Sequence, residues 1–138
     1  MVSAQDFNHR GAKNLPGHLG IVITDGGPEV IRGEMPVAPH LMAPNGFLHA
    51  GSVVTLADTA AGFGCLANLP AGAAGFTTIE LKSNHLGTAR DGTVEVTAKP
   101  VHLGKTTQVW DSVVTHRESG KTIALFRCTQ MVLFAKAG

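Results

Sequence analysis

Charge is scarce in this chain. Only 15% of its 138 residues are Asp, Glu, Lys or Arg, against an average near 25%. Eleven basic residues against ten acidic ones leave a net charge of +1, which excludes a general binder of nucleic acid or another polyanion. A compact domain so poor in charge is expected to hide part of its surface in an oligomer. Cysteine is scarce too. Cys65 and Cys128 are too few for a disulfide framework and form no CxxC pair. The histidines show no HxH or HExxH spacing, so no metal site and no cofactor are expected. Long apolar runs are missing as well. MVSAQDFNHR contains none, so no signal peptide is predicted. The most apolar stretch, Gly51 to Asn68, holds an acid and three glycines and reads as too short and interrupted to span a bilayer. These absences predict a soluble, cytoplasmic protein with no membrane partner.

What is present fits one folded unit. The length suits a single domain over residues 1–138, with 1–14 loosely ordered and a short turn of helix near Ala12–Leu19. Gly20–Thr24 and Glu29–Pro36 read as a hairpin around Asp25-Gly-Gly-Pro28, and Val37–Asn45 as a proline-bearing loop. Gly51–Asn68 is the one long helix. It is apolar nearly all round, as a buried helix is, and Pro70 stands where it should stop. From there the period falls to two. Thr77–Leu86, Thr93–Val101, Lys105–Thr115 and Lys121–Phe134 read as a four-strand antiparallel meander, with hairpin signals at Asp91-Gly92 and Glu118-Ser-Gly120. The fold class is α+β: a sheet wrapped on a central helix. Cys65, Cys128 and Trp110 read as core, or interface for the tryptophan.

Asp58 is the only ionisable group between Gly51 and Asn68. A lone carboxylate in an apolar helix is costly to desolvate and marks a candidate site. Its neighbours one turn away, Val54, Thr55, Ala61 and Gly62, make a poor solvent face. The segment Asn45 to Gly51 leads into the helix start, where the amides of Ala50 and Gly51 are placed to receive a developing oxyanion. Ala50 and Asp58 are eight residues apart, about 12 Å of helix. One reacting atom cannot easily reach both in one chain, so a site shared by two subunits is expected.

These residues carry a resemblance. Asn45-Gly46-x-x-His49-Ala50-Gly51-x-x-x-x-Leu56-Ala57-Asp58-Thr59-Ala60 resembles the NGxxHGGxxxxLADTA signature of hotdog-fold acyl-CoA thioesterases. It is most similar to the phenylacetate-degradation and 4-hydroxybenzoyl-CoA groups. The resemblance extends through Phe76–Lys82, Val101–Thr106 and the last strand. It implies a hotdog dimer, paired again into a homotetramer, with sites between subunits and an acyl-CoA substrate bearing an aryl or arylacetyl group. It implies that Asp58 is the general base or nucleophile and that the Ala50 amide polarises the thioester carbonyl. Relatives carry Gln or Asn where this chain has Ala43, and Asn45 is the candidate replacement. Relatives that use Glu carry Ser or Thr where this chain has Gly62, which leaves Thr59 to place water. His49 is a candidate catalytic residue, with orienting the loop or capping the partner's helix as its other expected role. Arg90, Lys105 with its neighbour Thr106, and Arg127 are candidates for the CoA phosphates. Lys105 is favoured because Gly104 lets the backbone approach a ligand. A non-catalytic acyl-CoA binder would not need the helix acid, and a hydratase or dehydratase would need a histidine motif that is not found.

Overall fold

A computed structural model describes residues 2–136; residues 1 and 137–138 of the expected 1–138 span lie outside the described residues. The period-two segments form β1 (Val22–Gly26), β2 (Ile31–Pro36), β3 (Ala73–His85), β4 (Thr93–Leu103), β5 (Thr107–His116) and β6 (Thr122–Phe134). They join in one antiparallel sheet of order β1-β2-β4-β5-β6-β3. The helices are α1 (Ala4–Gly11), α2 (Leu15–His18) and α3 (Ala50–Ala67). The sheet wraps α3 in the hotdog arrangement.

Two expectations fail in instructive ways. The second half is not a meander: β3 pairs with β6 at the sheet edge, and β4 pairs with β2 and β5. Asp91-Gly92 does form a turn, with Gly92 at φ +83°, but it closes no hairpin. The amides of Val37 and Leu48 donate to the Gly92 and Ala89 carbonyls, docking the connection beside the start of α3. Turn chemistry fixes a local reversal, whereas burial chooses the strand partner. The second correction concerns the described part of the 1–14 segment, residues 2–14, which is built around α1 rather than loose. Ser3 Oγ accepts from the Asp6 amide to cap α1, Phe7 meets the Phe63 ring edge-on with centroids 4.9 Å apart, and Asn8 exchanges two hydrogen bonds with the Ile23 backbone. The expected turn near Ala12–Leu19 is α2.

α3 lies along β5, antiparallel to it. Ser112 Oγ donates to the Ala57 carbonyl at 2.9 Å, the Trp110 ring lies under Gly64, and Gln108 Nε2 donates to the Asn68 carbonyl at 3.0 Å. By length and composition α3 does reach the range of a membrane span, contrary to the sequence expectation. Here it is the core helix, with Val53, Leu56, Ala57, Ala60, Ala61, Phe63 and Cys65 buried.

The contact at Gly64 is tight. A Cβ there would stand 2.5 Å from the indole carbons. Gly64→Ala gains up to about 1 kcal/mol of helix propensity, but the overpacking costs about 1–3 kcal/mol or more. The expected result is net destabilisation, read as a lower denaturant midpoint at unchanged slope. A raised midpoint would mean that α3 can lift off β5 freely.

Candidate active site

Asp58 projects from the middle of α3 toward β6 and β3. One turn on, on the same helix face, Gly62 lies against the Phe76 ring of β3, 3.5 Å from where its Cβ would be. Asp58 is half-buried, and its Oδ1 is sealed from solvent with no hydrogen-bond partner. Burial raises the carboxyl above its ordinary range. Cys128 of β6 is near enough for the Asp58 charge to add to the burial that pushes its thiol up to about 12. Cys65 and Cys128 are both buried, as expected of core residues.

The start of α3 is a second centre. His49 is the N-cap of its own helix: its Nδ1 accepts from the Gly51 amide at 2.7 Å. That bond makes Nδ1 an acceptor and leaves the ring N–H to Nε2. It also occupies the Gly51 N–H, so Gly51 is not the free donor that the sequence suggests. The Ala50 N–H donates to no group among the described residues. It opens on a cleft of about 300 Å³ lined by Ala43, Asn45, Phe47, Val53, His85 and Thr88, among others. Asn45 Oδ1 accepts from the Phe47 amide at 3.1 Å, which holds the loop at the cleft that Asn45 lines. Asp58 does not line this cleft, in keeping with the 12 Å or so of helix between it and Ala50.

The proposed phosphate ligands are not together in one chain. Arg90 lies over the Phe47 ring, 4.2 Å from its centroid, at the Ala50 end. Lys105 and Thr106 are exposed in the turn after β4, at the opposite end of that 11-residue strand, about 36 Å of extended chain away. Arg127 is held by a bidentate pair with Asp111, at 2.6 and 2.8 Å, on the sheet face away from α3. Thr59 is half-buried on α3 next to Asp58. Among the described residues no group of three or more His, Cys, Asp or Glu could hold a metal ion.

Sequence reasoning missed several residues at these centres. Phe47 looks like loop filler until Arg90 is seen on it. His85, the last residue of β3, and Thr88, in the connection that follows it, line the cleft because that connection docks beside α3 instead of closing a hairpin. Ser83 of β3 is half-buried, and among the described residues its Oγ is, after Asp58 Oδ1, the second buried side-chain atom with no partner; nothing in a strand's alternation singles it out.

Residues 45–123 match the thioesterase superfamily. A 1,4-dihydroxy-2-naphthoyl-CoA hydrolase of Escherichia coli is 31% identical over 135 residues, covering 96% of both chains. Its namesake from Listeria monocytogenes is 36% identical over 111 residues, 80% of this chain and 87% of that one. The crystal structure of a mutant thioesterase from Pseudomonas aeruginosa superposes with a TM-score of 0.89 at 29% identity, over 94% of this chain and 93% of that one. The chain therefore belongs to the thioesterase superfamily and is a thioester hydrolase.

Proposed function

We propose that the protein hydrolyses a coenzyme A thioester with an aryl or arylacetyl acyl group, giving the free acid and CoA. The observation that carries this reading is the sealed, unpartnered Oδ1 of Asp58 in the core helix. In the proposed reaction Asp58 takes a proton from water as the water oxygen bonds to the thioester carbon. The resulting oxyanion is met by the Ala50 N–H and the positive end of α3. The C–S bond then breaks, and the thiolate recovers the proton. A buried carboxylate with a raised pKa is the stronger base, which suits this role. The aryl preference draws support from the two naphthoyl-CoA hydrolases similar to this chain, since a naphthoyl ester is an aryl thioester.

The protein is proposed to work as a cytoplasmic homotetramer of one-domain subunits, built from hotdog dimers. The edge of β3 supports pairing with a second copy. This strand has 13 residues, has no neighbour on its outer side among the described residues, and exposes Ile79 and Leu81 at 53% and 44%. Long apolar edges are ordinarily covered. Pairing of this kind would let Asp58 of one subunit work with Ala50 of the other, and Lys105 of one with Arg90 of the other.

A panel of aryl, arylacetyl, short-chain and long-chain acyl-CoAs tests the assignment. The highest kcat/KM is expected on an aryl or arylacetyl ester. A preference for straight chains overturns the acyl assignment, and no hydrolysis of any member overturns the whole reading.

Lys105→Ala is expected to raise KM for CoA esters more than it lowers kcat, because a contact remote from the thioester acts equally on ground and transition states. A short pantetheine thioester, which lacks the nucleotide, should be unaffected. Equal damage to both substrates removes Lys105 from the nucleotide site.

A further inference from the structure

We propose that Ser52 is a positioning residue for this reaction, which sets the direction of the Ala50 N–H. The proposal rests on the reading above of that N–H as the oxyanion donor. Ser52 is buried in the first turn of α3 and grips His49 from two sides. Its amide donates to the His49 carbonyl at 3.0 Å. Its hydroxyl donates to the Leu41 carbonyl at 2.8 Å, and the same carbonyl accepts from the His49 amide at 3.1 Å. Ser52, Leu41 and His49 thus close a ring of hydrogen bonds. The ring holds both peptide planes that flank the His49 Cα, and the second of them contains the Ala50 N–H.

The direction of that N–H follows from the ring. In a trans peptide the carbonyl and the N–H point opposite ways, and this peptide is trans. The His49 carbonyl points along α3, toward the Ser52 and Val53 amides, so the Ala50 N–H points out of the helix start. The angle between α3 and the loop before it depends on Leu41. That loop closes on itself through the bridge between Met42 and Leu48 and a bond from the Ala43 amide to the Phe47 carbonyl at 2.7 Å. The Ser52 hydroxyl ties its root to the helix. A helical serine or threonine ordinarily returns its hydroxyl to its own helix, as Thr55 does to the Gly51 carbonyl at 2.8 Å. Ser52 instead reaches a carbonyl eleven residues back. Oxyanion stabilisation depends on donors aimed in advance, so this tie acts on the transition state rather than on substrate binding.

The test compares Ser52→Ala with the parent in two measurements, with sedimentation of both proteins. The first is steady-state hydrolysis of the best acyl-CoA of the panel. The second is the isotope-edited infrared spectrum of the bound ketone analogue of that ester, in which CH2 replaces the sulfur. Alanine removes the hydroxyl and favours the helix. It is expected to lower kcat about tenfold, less than the loss of a whole oxyanion donor, with KM and self-association unchanged. The carbonyl stretch of the analogue is expected to fall on binding to the parent, and to fall by less in Ser52→Ala. Parental kcat in Ser52→Ala overturns the proposal. So does a loss of kcat with the full infrared shift, or a loss that comes with raised KM or with dissociation, because each assigns Ser52 to packing, binding or subunit contact. Absence of the shift in the parent defeats the oxyanion reading of Ala50 separately, whatever Ser52→Ala does to kcat.

Discussion

Asp58→Asn is expected to fold normally and to lose hydrolysis by at least about a hundredfold, the scale of a positioned acid–base group. The change keeps the shape of the side chain and removes its charge and basicity. The same variant is expected to be more stable than the parent at neutral pH. The sign follows from the raised pKa. Between the ordinary carboxylate pKa and the raised folded value, the folded protein binds more protons than the unfolded chain, so its stability falls as pH rises. Asparagine is spared that fall. Thermal unfolding of the two proteins should therefore diverge from acid to neutral pH, with the variant above. In parallel, kcat/KM of the parent should rise with pH and level off once Asp58 is ionised. An active Asp58→Asn enzyme, or one whose stability gap closes as pH rises, contradicts the assignment of the carboxylate.

Mixed dimers give the second large effect. An Asp58→Asn chain and an Ala50→Pro chain are each expected to be inactive alone. Proline removes the amide hydrogen and is tolerated at the first position of a helix, where Ala50 stands. In a heterodimer one shared site carries both defects and the other carries neither, so about half the parental activity per dimer should return under two-fold symmetry. The pairs can be isolated with two affinity tags, and Ala50→Pro checked for helix content first. Folded heterodimers that stay inactive would mean that Asp58 works only with groups of its own chain.

Much of this was legible in the sequence. The spans of α3 and of the strands follow from apolar periodicity, and Asp58 stands out because an acid among alanines and valines has few structural uses. What was not legible depends on partners distant in the chain. Asp91-Gly92 announces a turn, but whether β3 pairs with β4 or β6 depends on where the 86–92 connection docks. The competition for the Gly51 amide depends on the direction of the His49 ring, which spacing does not record. The separation of Arg90 from Lys105 follows from the length of β4 between them, which is not a property of a local motif.

Trp110 has a spectroscopic consequence. The chain has one tryptophan and no tyrosine, so its emission excited at 295 nm comes from a single ring. That ring is wholly buried, is stacked under Gly64, and donates from its Nε1 to Gln108. The native protein should emit as a blue-shifted, quencher-resistant fluorophore, and the shift to red on unfolding reports one event, the parting of α3 from β5. Core opening can thus be timed without a label.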